Sequence, residues 1–158
     1  MRLVATWILP ACCALWTFAA AVAAHGDAPA ARHEGPTASD PKFEATLEAH
    51  FDAIQHRDFD ALMRTVTTDA RLTLVFPDGT LLATTKEYAD FHREWFADTG
   101  WKMSFSPIST RVLGDLAIGV VRTTYTDAKG PRDAILSLVF AREDGQWRLV
   151  HDQNTRVQ

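Results

Sequence analysis

The stretch "GQWRLVHDQNT", residues 145–155, stands three residues short of the end of the chain and decides the fold. Trp147 and Leu149 alternate with Arg148, the period of a half-buried strand. The alternation then runs on into hydrogen-bonding side chains where a turn would be expected. Just before it, Asp144-Gly145 is suited to a two-residue hairpin turn, so residues 132–143 form the antiparallel partner. Farther back, Ala128-Lys129-Gly130 and Gly114-Asp115 separate two more strands, at 116–127 and 101–113, and no helical period recurs after Gly100. The C-terminal half therefore reads as a four-stranded antiparallel meander.

A two-residue turn fixes the register: Arg142 faces Trp147, Phe140 faces Leu149, Leu138 faces His151 and Leu136 faces Gln153. The apolar face of one strand, Ala134, Leu136, Leu138 and Phe140, then continues into Trp147, Leu149, His151 and Gln153. Across the next turn it takes in Ala117, Gly119, Val121, Thr123 and Tyr125. This surface has an apolar base near Phe140 and Trp147 and a wetter mouth at Thr123, Tyr125, Arg132, Gln153 and Thr155. An unsatisfied buried polar group costs about 1–3 kcal/mol, so an inward His151 and Gln153 need water, a ligand or a protein partner. The candidate site is His151 as acid or base, with Gln153, Tyr125, Arg132, Thr123, His50 and Trp95 as ligand-binding residues. In the competing reading, His151 is a satisfied structural histidine bonded to a helix group such as His50.

The same parity sends Arg148, Val150, Asp152, Asn154 and Arg156 to the outer, solvated face and makes Asp152 the weaker catalytic candidate. Ile118, Val120, Ile135 and Val139 also face outward. That apolar excess suits a dimer interface or cover by the third helix or the N-terminal hairpin.

Upstream, Asp40-Pro41 caps and opens a helix whose Phe43, Leu47, His50, Phe51 and Ile54 share one face. A short second helix follows Asp58, with Phe59, Leu62, Met63 and Val66 in period. The run "RLTLVFPDGTLLATT" turns at Pro77-Asp78-Gly79 as a hairpin, and Thr84-x-x-Glu87 is a capping box that opens a third helix. Tyr88, Phe91 and Trp95 share a face of that helix. Glu48 and Asp52 lie off the apolar stripe of the first helix and read as solvated.

Residues 1–24 carry one charge, Arg2, then an uncharged run ending in small residues, the pattern of a signal peptide. A retained anchor, or lipidation at Cys12, is the alternative. Both cysteines lie in this segment, so the mature chain is expected to have neither a disulfide nor a thiol nucleophile. Residues 25–40, rich in Ala, Pro, Gly and charge, read as a flexible linker before a single domain at 41–158. Without Arg2 the chain carries 15 basic against 20 acidic residues and no basic block, which argues against nucleic acid as a partner. A cleaved leader leaves no membrane segment, and the location is expected to be periplasmic or secreted.

Other chemistries lack their signatures. His92-Arg93-Glu94 has no i, i+4 histidine pair, the histidines show no metal-ligand spacing, and there is no nucleophile elbow or phosphate-cradling glycine loop. No metal or cofactor is expected.

The element order, helix-helix-strand-strand-helix and then four strands, together with "HFDAIQHRDFDALMRTVTTDA", Trp147 and His151, resembles the nuclear transport factor 2-like superfamily. Within it the chain resembles the SnoaL-like branch, which is similar to the kinase II association domain. The resemblance implies an α+β fold: a cone-shaped, curved antiparallel sheet wrapped around N-terminal helices and enclosing a pocket, often in a dimer. It also implies a pocket-facing His151, with Gln153 where the branch often has a second histidine. Ketosteroid isomerases share the fold and use a carboxylate base, but "ARLTLVFP" after Asp69 holds no acid before Asp78. The expectation is an exported pocket protein for a small, mainly apolar, unidentified ligand, a homodimer, with proton transfer at His151 as the chemistry open to it. The alternative is a non-catalytic dimerisation or assembly module of the cell envelope, and the sequence leaves open whether the protein is an enzyme.

Overall fold

The structure, a computed structural model, describes residues 40–157. The expected leader, linker and Cys12 site lie outside the described residues. The elements follow the expected order: α1 (Pro41–His56), α2 (Phe59–Arg64), β1 (Thr73–Val75), β2 (Leu81–Leu82), α3 (Thr85–Ala97), β3 (Lys102–Leu113), β4 (Leu116–Asp127), β5 (Gly130–Glu143) and β6 (Gln146–Arg156). The fold is α+β with one curved, open six-stranded sheet in the order β2-β1-β6-β5-β4-β3. The sheet is mixed and not wholly antiparallel, because β1 joins β6 in parallel, Leu74 beside Asp152.

The helices start where the chemistry requires. Asp40 Oδ1 accepts from the Lys42 and Phe43 amides, Asp58 from Ala61, and Thr84 from Glu87, each satisfying amide protons that a first helical turn leaves free. α1 ends at Arg57, which takes a left-handed conformation, φ 57°. Its guanidinium donates to the Asp98, Thr99 and Trp101 carbonyls and lies 4.2 Å over the Trp101 ring. It thus ties the end of α1 to the α3–β3 loop. Asp144 and Gly145 both have positive φ, the geometry of a tight hairpin between β5 and β6.

The inner sheet face packs on α1. Phe43 meets Phe140 and Trp147 edge to face at 5.4 and 5.7 Å. Gly119 lets the helix come close, since a Cβ there would lie 3.4 Å from both Leu47 methyls. Ala117, Val121, Leu136, Leu138, Phe140, Trp147 and Leu149 are all buried in this core. Asp40 closes the base from outside, its Oδ2 accepting from Arg142 at 2.8 Å and from the Trp147 indole at 3.1 Å.

The register of β4 on β5 is the expected one, Ala117 on Phe140 through Tyr125 on Arg132. On β6 it holds only to Leu149. Phe140 pairs with Leu149, but Val139 pairs with His151 and Leu138 with Asp152, so Val150 is an extra residue in a β-bulge. The bulge sits where Leu149 bonds the 65–67 segment, donating to the Thr65 carbonyl and accepting from the Thr67 amide. Beyond it every side chain changes face. The expected pairs Leu138–His151 and Leu136–Gln153 are therefore corrected to Leu138–Asp152 and Leu136–Asn154.

Candidate functional site

Between the sheet and α3 lies a cavity of about 360 Å³. β1 and the turn after it contribute Leu74, Phe76 and Pro77, α1 Ile54, and α3 Phe91, His92 and Trp95. The remaining walls are Met103 of β3, Thr123 and Tyr125 of β4, Arg132 to Ala134 and Leu136 of β5, and Asp152, Asn154 and Arg156 of β6.

Its walls are aromatic and interlocked. Trp95 stacks on Trp101 at 4.3 Å and faces Tyr125 at 6.3 Å, and Phe91 meets Phe76 edge to face at 4.9 Å. Toward the mouth, Arg132 forms a two-pronged pair with Asp127, at 3.0 and 2.6 Å, and sits 5.1 Å over the Tyr125 ring. The guanidinium in turn holds Asp127 below the usual carboxylate range.

The polar groups face inward from β6 and α3. Asp152 is buried, receives the Asn154 amide at 3.2 Å, and belongs to no salt bridge among the described residues. Burial without a cation pushes its carboxyl up to about 7. Tyr88 is wholly buried, its hydroxyl has no partner, and burial together with the Asp152 charge raises it well above the phenol range. His92 Nδ1 lies 2.8 Å from the Tyr88 carbonyl, and burial lowers its ring to about 4. At neutral pH the cavity thus offers an uncharged imidazole and a carboxyl poised between its two forms.

Of the residues the sequence proposed for the site, Thr123, Tyr125, Arg132 and Trp95 line the cavity. His50 does not. It is packed in the core beneath, its Nδ1 2.7 Å from the Thr65 hydroxyl and its ring 6.0 Å from Phe140, and burial lowers it to about 3. His151 and Gln153 are on the other face of the sheet, His151 half-buried beside Val139 and Thr73 and Gln153 exposed. The single extra residue at Val150 puts them there, which removes the geometric ground for His151 as the pocket's acid or base. Asp152, expected on the solvated face, takes the inward place. No sequence motif marks His92 as a pocket residue; its one signal is that it follows Tyr88 by one helical turn of α3.

Known proteins share this fold. A family model described as "SnoaL-like domain" matches residues 43–154. A protein from Thiobacillus denitrificans assigned as a calcium/calmodulin-dependent protein kinase type II association domain superposes with a TM-score of 0.65 at 24% identity, over 73% of this chain and 94% of that one. A protein from Streptomyces avermitilis, assigned as a dehydratase of the NTF2-like family, gives 0.66 at 20% over 74% and 94%. One from Shewanella frigidimarina, assigned as a ketosteroid isomerase, gives 0.62 at 18% over 73% and 96%. No curated protein matches the chain. The helices, the curved sheet with a cavity on its inner face and the match over residues 43–154 give one conclusion: the chain belongs to the SnoaL-like domain family, within the nuclear transport factor 2-like fold.

Proposed function

We propose that the cavity binds a small, mainly apolar molecule and that Asp152 moves a proton on it. One observation carries this reading: a carboxyl on the cavity wall, in no salt bridge among the described residues, held by burial near 7. A proton-transfer group works best when its pKa lies near the working pH. As carboxylate, Asp152 takes a proton from a carbon or oxygen of the bound molecule. As acid it returns that proton to another atom of the same molecule and ends as it began. Aromatic walls exclude water and strengthen the carboxylate as a base.

The test is deuterium exchange from D2O into a panel of small cyclic enones and ketones, followed by NMR. The wild-type protein should accelerate exchange in some members, and Asp152→Asn should lower the rate at least about 100-fold, the span expected for one acid–base group, with binding retained. Exchange that survives the substitution would sink the role of Asp152.

We further propose an exported homodimer joined through the outer sheet face. Export rests on the pattern of residues 1–24. The dimer is supported by Leu113 and Leu116, about half exposed at 51% and 48%, beside Ile118, Val120, Ile135 and Val139 on the sheet face opposite the packed helices.

A further inference from the structure

We propose that His92 reads the ligand: its Nε2 accepts a hydrogen bond from an N–H or O–H on the edge of a planar aromatic molecule lying in the cavity. This rests on the pocket reading above and adds the class of molecule the pocket takes.

The Tyr88 carbonyl, 2.8 Å from Nδ1, can only accept, so Nδ1 carries the ring proton and Nε2 keeps its lone pair. The ring is held in that orientation by its neighbours, Tyr88 at 4.0 Å, Phe91 at 4.9 Å, and Trp95 and Phe96 at 5.6 Å. The residue is 97% buried (3% exposed) yet lines the cavity. His50 Nε2 and Tyr88 Oη are the sealed side-chain atoms without partners among the described residues; His92 Nε2 is not one of them, and no described group bonds to it. It is thus an acceptor open to the cavity. A buried acceptor left unpaired costs about 1–3 kcal/mol, so a guest that supplies a donor relieves a penalty that a donorless guest of the same shape leaves in place.

The walls set the rest of the guest. Phe76, Phe91, Trp95 and Tyr125 present ring faces and edges that favour a flat, apolar body. An ionised carboxylate has no proton to give, so the group that meets Nε2 is an N–H or O–H.

Indole and 1-methylindole separate these requirements, since they share the flat bicyclic ring and differ in the methyl that replaces the N–H proton. Calorimetric titration should show indole binding at least about tenfold more tightly, the measure of one buried hydrogen bond. His92→Phe should equalise the two. As a readout that does not require the variant to fold, the Nε2 resonance of 15N-histidine-labelled wild-type protein should shift upfield with indole and stay in place with 1-methylindole. Equal binding of the two probes, or an unmoved Nε2 resonance, would overturn the role of His92 and leave the pocket standing. If neither probe binds up to its solubility, this inference fails, and the enone and ketone exchange decides the pocket reading by itself.

Discussion

At Asp152, stability and chemistry pull in opposite directions. Its carboxyl is raised from 3.8 to about 7 in the fold, so between those values folding takes up a proton and stability falls as pH rises, then levels off above about 7. A shift of about 3 units at ~1.4 kcal/mol each sets a ceiling of about 4 kcal/mol on that loss. His50 and His92 act in reverse. Their rings are lowered from 6.5 to about 3 and about 4, so the stability they lend is present above 6.5 and is lost as pH falls toward those values. Below 6.5 two histidines outweigh one carboxyl, which places the stability maximum near pH 6.5. Urea denaturation across pH 5–8 should show this maximum in the wild type. Asp152→Asn should remove the decline above it and stabilise the protein at pH 8 by up to about 4 kcal/mol. A variant no more stable than wild type at pH 8 would contradict the buried, unpaired carboxyl.

The elements show where sequence reading succeeds and where it stops. The apolar half of the inner face, from Ala117 and Phe140 to Trp147 and Leu149, was legible because hydrophobic alternation and the Asp144-Gly145 turn agree on one register. The polar half was not. Parity counting assumes one residue per step, and Val150 adds one where β6 passes from the 65–67 segment to β1. Both Val150-His151 and His151-Asp152 suit a strand, so composition alone gives no sign of the extra residue. Tyr125, Arg132 and Thr123 lie on the inner face that parity counting gives them, because β4 and β5 pair without a bulge. Packing of α1 on the sheet can be probed at Gly119. Gly119→Ala fits at ordinary contact distance from Leu47, whereas Gly119→Leu must push the helix away and should cost about 1–3 kcal/mol in chemical denaturation. The Asp40 clasp divides similarly: Asp40→Asn keeps a good helix cap but weakens the hold on Arg142, and Asp40→Ala loses both. Thermal melts should rank wild type above Asn above Ala.

For the molecule as a whole, the inner and outer sheet faces divide the work. The inner face holds the core and the cavity, and the outer face carries the apolar rows through Leu116, Ile118, Val120 and Val139. Leu116→Lys together with Val120→Lys should turn a dimer into a monomer in sedimentation velocity while leaving probe binding in the cavity unchanged. A wild-type monomer at high concentration would remove the dimer reading. The strand order has a further consequence. β6 follows every other described strand along the chain yet sits inside the sheet between β1 and β5. During synthesis, therefore, the early hairpin and the later meander have no strand to join them until β6 leaves the ribosome. The nascent protein stays open until then, and a premature stop codon before Gln146 would leave two half-sheets with raw edges for chaperones and proteases to find.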